Sequence, residues 1–163
     1  MQNKETKKIA SGPKQKSFVY SALIVVVLVA FLGLASYLFI HRLNTVTYVN
    51  ATIGSEQFSL ELADTDAARE KGLSERDSIG KNNGMLFVFD TVGDWRMWMV
   101  QMRFPIDIVW HNSDKEIVYI KHSATPAEYP EIYKAPQPSA YVIEVNAGTL
   151  NRLGVQEGDS ISF

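Results

Sequence analysis

Twenty-three consecutive residues, Phe18–Ile40, carry no charged side chain. No other feature restricts the chain as tightly. A helix over this run is roughly 34 Å long at about 1.5 Å per residue, and a bilayer core takes about 20 such residues. The polar groups within it are Ser21, Ser36 and the hydroxyls of Tyr20 and Tyr37. Each can bond locally or sit near an interface, and a helix satisfies its own backbone. A buried core helix of a soluble protein rarely stays apolar on every face for this long. The run therefore predicts a membrane-spanning helix.

The flanks give it a direction. Residues 1–17 form a basic leader, with Lys4, Lys7, Lys8, Lys14 and Lys16 against a single Glu5. Beyond the run, close in, stands only Arg42. The positive-inside rule keeps such an N-terminus in the cytoplasm and exports the C-terminus. A cleaved signal peptide is the rival reading, but its apolar region spans about 7–15 residues and ends in small residues. This run is longer and closes in Tyr37-Leu38-Phe39-Ile40. The expected organisation is a cytoplasmic leader over 1–17, a signal-anchor helix over 18–40, a short stalk over 41–46 and an extracytoplasmic domain over 47–163. A stalk this short gives the domain little reach from the bilayer.

From Leu43 onward the chain has 10 Lys/Arg and 17 Asp/Glu, a balance near −7. Nucleic acid is excluded as a partner, because its phosphates demand a basic face. There is no cysteine, so disulfides, thiolate zinc sites and thiol catalysis are absent. A domain of this size buries enough core to fold without staples.

Within the domain the strand signal dominates. Thr47–Ile53 is rich in β-branched residues, Gly54-Ser55 marks a turn, and Phe58–Leu62 alternates apolar and polar, which together predict a hairpin. Thr65 N-caps a short helix that Gly72 stops. Gly84–Phe89 reads as a strand buried on both faces, followed across a Val92-Gly93-Asp94 turn by a strand over Trp95–Val100. Phe104–Trp110 and Glu116–Lys121 pair around the Asn112–Lys115 turn. Residues 124–139 hold Pro126, Pro130, Pro136 and Pro138 and read as one long loop without regular structure, a feature often tied to function. Tyr141–Val145 is a strand, Thr149–Leu153 a short helix capped by Asn146 or Thr149 and closed by Gly154, and Asp159–Phe163 a terminal strand. About eight strands and two short helices predict a mainly β domain, a β-sandwich or partly open barrel.

Four phrases occur in a recognisable order: "LADTDAAREKGLSER", "GMLFVF", "WRMWM…PIDIVW" and "YVIEVNAG…LGVQEGD". Together they resemble the domain of unknown function family numbered 192, over roughly Thr47–Phe163. The resemblance implies a jelly-roll-like β fold, frequent export or membrane anchoring, and no established activity. Many members read Trp-Met-Lys-Asn-Thr where this chain has Trp98-Met99-Val100-Gln101-Met102, so a polar function shared at those positions does not carry over. The cysteine pair that many members carry in the Pro-rich loop is also missing.

Two carboxylates stand between apolar neighbours, Asp107 between Ile106 and Ile108, and Glu144 between Ile143 and Val145. By strand alternation each faces away from those neighbours. On one sheet face they would make an acid/base pair or an oxygen site for a cation; otherwise they face solvent or pair with Arg96 or Arg103. Trp95, Trp98 and Trp110 with Met97, Met99 and Met102 form an aromatic and thioether cluster, either core or the wall of a pocket for a sugar or another flat ligand. Tyr133 in the Pro-rich loop is a further contact candidate. His111 and His122 flank a hairpin turn, but with Asp114 they fall short of the ligand set of a zinc site, so no metal or cofactor is expected. There is no Gly-x-Ser-x-Gly elbow, dinucleotide fingerprint or phosphate loop. Asn50-Ala51-Thr52 has the form of a glycosylation acceptor. Gly84, Gly148 and Gly158 read as structural.

The leading expectation is a membrane-tethered binding or accessory module at the cell envelope, its partner a glycan or a protein. The ligand would lie against Trp98, Met99, Asp107, Glu144 and Tyr133. The alternatives are a hydrolase using Asp107 and Glu144, and a scaffold for protein assembly through the tryptophans.

Overall fold

The computed structural model describes residues 14–43 and 46–163. The chain divides after Thr45 into two units. The first contains helix α1, Lys14–Leu43, uninterrupted by proline. Its segment Tyr20–Phe39, of mean hydropathy 2.7, is long and apolar enough to cross a membrane. The helix overruns the expected span at both ends and takes in Lys14–Ser17 of the leader and His41–Leu43 of the stalk. The rest of the leader, with Asn44 and Thr45 of the stalk, lies outside the described residues.

The second unit, Val46–Phe163, is built on β1 (Tyr48–Ile53), β2 (Glu56–Ala63), β3 (Asn83–Gly93), β4 (Arg96–Trp98), β5 (Ile106–His111), β6 (Ile117–Ala124), β7 (Ile132–Lys134) and β8 (Ser139–Asn146). Helix α2 (Asp66–Lys71) lies between β2 and β3, and α3 (Thr149–Leu153) follows β8. Six strands form one mixed sheet in the order β1-β2-β3-β8-β5-β6, and β4 and β7 pair separately. Every adjacent pair is antiparallel except β2 and β3. A parallel pair needs a crossover, and α2 with the segment after it supplies that connection.

The result is mainly β, as expected, but it is a mixed sheet with apolar clusters on both faces and no closed barrel. The parallel β2/β3 pair makes the sheet mixed, and its edge strands β1 and β6 do not pair with each other, so it stays open. Alternation predicts strands but carries no information about which neighbour a strand takes. One cluster gathers Met85, Phe87, Ile106, Ile108, Trp110 and Val142 beneath α2, β4 and β7. The other gathers Leu86, Val109, Ile143 and Val145 with Leu150 of α3 and Ile161. The expected terminal strand reduces to two isolated bridges, Thr52 to Ser162 and Glu116 to Ser160, which link the region of both sheet edges through the C-terminal segment.

Local signals account for most elements. The β1–β2 hairpin turns at Gly54, whose φ is +57°. Thr65 caps α2 by accepting the Ala68 N–H at 3.2 Å, and Gly72 ends it. Two expectations change. The strand over Trp95–Val100 shortens to Arg96–Trp98, because the chain turns at 99–102: Met102 N–H donates to the Met99 carbonyl at 3.2 Å, and Gln101 takes φ +54°. The Pro-rich segment is not irregular throughout. It contains a short 3-10 turn at Pro126–Glu128, a cis Tyr129–Pro130 peptide, and β7, which pairs with β4.

Candidate functional site: an aromatic-walled pocket over a buried glutamate

The pairing register decides what the two carboxylates can do. Asp107 sits opposite Val145, and Glu144 sits opposite Ile108. Facing residues share a sheet face and successive residues alternate, so Asp107 and Glu144 project to opposite faces. The acid/base pair does not form. Asp107 is fully buried, and its two oxygens accept the Ser123 N–H at 2.9 Å and the Leu150 N–H at 3.1 Å. The second bond caps α3, whose own N-cap residue is Gly148 with no side chain to offer. Asp107, not Asn146 or Thr149, therefore does the capping, and it is a structural residue.

Glu144 faces the other way, toward Met85, Ile108 and the cluster beneath α2. It is 4 % exposed. Among the described residues no group donates a hydrogen bond to its carboxylate. Burial pushes the acid up to about 8, and the Arg76 guanidinium offsets this only in part. Arg76 is already engaged by Glu61, with a bond of 2.8 Å to its Oε2 and a second to its Oε1. The acid therefore stays protonated at neutral pH.

Above Glu144 lies a cavity of about 380 Å³ walled by Phe87, Phe89, Trp95, Met97, Trp98 and Met102 and rimmed by Asp66, Arg69, Glu70, Lys71 and Arg96. This volume lies within the range of small-molecule sites, about 300–1,000 Å³. Phe89 and Trp95 stack with centroids 4.0 Å apart and planes 8° from parallel. Trp95 Nε1 donates to the Thr91 carbonyl at 3.1 Å, which sets the plane of that wall. Trp98 is 42 % exposed and stands between this cavity and a shallower one of about 700 Å³, whose far wall is Tyr129, Pro130 and Ile132.

Three sets of bonds hold the rim. Arg69 donates to the Val88 carbonyl at 2.7 Å and pairs with Asp66 at 2.6 Å, tying α2 to β3. Ser74 Oγ donates to the Val100 carbonyl at 2.9 Å, tying the end of α2 to the 99–102 turn. Glu128 accepts from Thr125 N–H at 2.6 Å, Lys121 Nζ at 3.0 Å and Tyr133 Oη at 3.0 Å, fixing the Pro-rich segment. These bonds, led by that of Thr125, hold the Glu128 carboxyl down to about 2.

Of the five ligand candidates the fold brings Trp98 and Glu144 to the cavity. Met99 is core, Asp107 caps α3, and Tyr133 is buried with its hydroxyl on Glu128. Of the three tryptophans, Trp110 is fully buried, its Nε1 donating to the Trp95 carbonyl at 3.0 Å. His111 and His122 do not meet. His111 lies opposite Ile117 at one end of the β5–β6 hairpin, while His122 is exposed at the other end. Burial pushes His111 down to about 4. The Val109 carbonyl partly offsets this, although neither ring nitrogen has a partner of hydrogen-bond geometry. Sequence reasoning missed Phe89, Arg69 and Arg96 as pocket residues. Phe87 and Phe89 carry a signal in hindsight, since alternation from Met85 places both on the Glu144 face.

Fold and site define a β-rich domain with a concave, aromatic-walled pocket on one face of a mixed sheet. The chain belongs to the family DUF192, described as Uncharacterized ACR, whose profile matches residues 48–163. Curated relatives carry no more specific description. The UPF0127 protein of Thermococcus kodakarensis is 30% identical over 106 residues, and that of Thermococcus gammatolerans 32% over 106. Each match covers 64% of this chain and 64% or 65% of the relative, so the chain spans under two thirds of those proteins' length. Among solved structures, a candidate transcription regulator from Sinorhizobium meliloti 1021 superposes with TM-score 0.66 at 34% identity, over 73% of this chain and 97% of that one. A protein of unknown function from Novosphingobium aromaticivorans DSM 12444 gives TM-score 0.65 at 30% identity, over 72% and 85%.

Proposed function

We propose that this chain is a membrane-anchored module that binds a small ligand, or a small group on a larger envelope glycan or protein, in the pocket over Glu144. One observation carries the reading: a buried acid with no hydrogen-bond donor among the described residues lies at the floor of a cavity whose aromatic wall stays partly open to solvent. Apolar walls with a few polar groups suit ligand capture. The hydrolase reading lacks its second carboxylate, because Asp107 is on the other face. In this proposal α1 is the anchor, the basic leader stays cytoplasmic and the acidic domain is exported. The Sinorhizobium description does not transfer: 17 acidic against 10 basic residues from Leu43 onward suit no phosphate backbone.

The test uses the full chain in detergent micelles, followed by thermal unfolding and tryptophan fluorescence. Small amines, carboxylates, glycan fragments and short peptides are titrated in turn. A saturable rise in Tm with at least one class, lost in Trp98→Ala, is the expected result. No shift with any class removes the proposal. A protein partner is the second reading, favoured by the exposure of Tyr129 and Ile132, 53% each, on the outer wall beyond Trp98. Crosslinking from position 132 that survives Glu144→Gln, with no small-molecule binding, would support that reading instead.

A further inference from the structure

Resting on the pocket reading, the structure narrows the chemistry of the ligand. Glu144 lies between Met85 and Ile108 in its row across the sheet, with no hydrogen-bond donor from the described residues on its carboxylate. A buried acid left without partners is costly unless something else satisfies it. What stands around it is an aromatic and thioether wall. A π face attracts cations, best when they are desolvated. The wall already does so once, since the Arg69 guanidinium lies 5.6 Å from the Phe89 ring centroid. Stacked Trp95 and half-open Trp98 extend the same surface toward solvent.

We propose that the pocket binds an organic cation, an ammonium group on an apolar stem, with the ammonium on the Glu144 carboxylate and the stem against Phe89, Trp95 and Trp98. Three features support the assignment. The ammonium supplies the N–H donors that the carboxylate lacks. The volume of about 380 Å³ accepts a ring or a short chain but no large ligand. Of the cations near the cavity, Arg69 pairs with Asp66 and Arg76 with Glu61, and neither these nor Lys71 and Arg96 of the rim makes a hydrogen bond or ion pair with Glu144.

The proposal carries a proton signature. The charged groups that line the cavity with Glu144 are Asp66, Arg69, Glu70 and Lys71 of α2 and Arg96 of β4, while the charge that acts on its carboxyl is that of Arg76. The acid sits near 8 in the free protein, so at pH 7 it is protonated. Pairing with an ammonium favours the carboxylate, and binding releases that proton to solvent. Affinity for the cation should therefore rise with pH and level off above about 8.

The experiment titrates the full chain in micelles with benzylammonium and, separately, with benzyl alcohol, its neutral analogue of similar shape. Calorimetry at pH 7 in two buffers of different ionisation enthalpy counts the proton. The expected result is tryptophan quenching, benzylammonium binding at least tenfold tighter than benzyl alcohol, and release of close to one proton. Glu144→Gln should erase the preference and the proton release while near-UV circular dichroism stays native, and Trp98→Ala should weaken both ligands. Equal binding of the two probes, or preference without proton release, overturns the cation assignment and leaves the pocket reading standing. Binding of neither probe also overturns it, and the ligand panel above then decides the pocket reading separately. If Glu144→Gln fails to fold, the pH dependence and proton count of the unaltered chain decide the cation assignment.

Discussion

At the scale of single residues, two carboxylates that look alike in the sequence do opposite things. Asp107 holds two backbone N–H groups and is spent on structure. Removing it strands both donors, each costing about 1–3 kcal/mol when left unpaired. Asp107→Ala should thus lose about 2–6 kcal/mol in urea unfolding. Glu144 has a folded value of about 8 against 4.5 unfolded, so the folded state holds a proton that the unfolded state has lost between those limits. Its stabilising contribution is complete below pH 4.5 and disappears as pH rises to 8. The slope is about 1.4 kcal/mol per pH unit in that window. Glu144→Gln should abolish this slope and be the more stable form at pH 8, read from denaturant midpoints at pH 6.5 and pH 8, above the range in which His111 contributes a slope. Both residues were legible from alternation within their strands. Their separation was not, because it depends on the register that sets Asp107 against Val145 and Glu144 against Ile108.

At the scale of elements, close backbone approach governs the sheet centre. A Cβ on Gly84 would come within 2.3 Å of the Glu144 carbonyl and 2.8 Å of Leu60 Cδ2. The carbonyl belongs to a central strand and cannot move aside. Gly84→Ala should therefore cost about 2–3 kcal/mol through overpacking, with a lowered Tm as the readout. The same crowding would disturb the strand that carries Glu144. At the 99–102 turn, Gln101 adopts the left-handed conformation, which asparagine tolerates better. The related pattern Trp-Met-Lys-Asn-Thr places asparagine at this position, so a backbone requirement explains it without a ligand. Gln101→Asn should stabilise the domain by about 0.5–1 kcal/mol, on the scale of relieving such conformations, measured by chemical denaturation. The hairpin, α2 and its Thr65 cap were readable because local chemistry specifies them. β7 was hidden among prolines, and only its pairing with β4 makes its three residues a strand.

At the scale of the whole molecule, two buried groups shape stability against pH in opposite directions. His111 falls from 6.5 unfolded to about 4 folded, so its contribution is present above 6.5 and lost as pH falls to 4. Glu144 loses its contribution as pH rises from 4.5 to 8. The slopes oppose each other between 4.5 and 6.5. The unfolding free energy should be flat there, fall on the alkaline side to pH 8, and fall on the acid side, where Glu128 begins to contribute in the same sense. Urea titrations across pH 4 to 9 check this; in Glu144→Gln the unopposed His111 slope should make stability rise with pH up to 6.5 and stay flat above it. The proposed anchor has its own test. Protease added outside intact cells should digest the C-terminal domain and spare a tag on the N-terminus, and a soluble mature chain would refute an uncleaved anchor. The folded domain and α1 are separate units, and each of these measurements addresses one of them.

By itself the sequence determined the apolar helix, the β-rich character, most strand positions and the caps of α2, since these follow from hydropathy, alternation and side chains that bond to their own neighbourhood. The tertiary structure alone decided the parallel β2/β3 pair, the capping of α3 by a residue 43 positions away, and the choice of Glu144 over Asp107 as the acid facing the pocket. The physical reason is common to all three. Each depends on which strand lies beside which and in what register, and a one-residue change in register sends a side chain to the other face of the sheet.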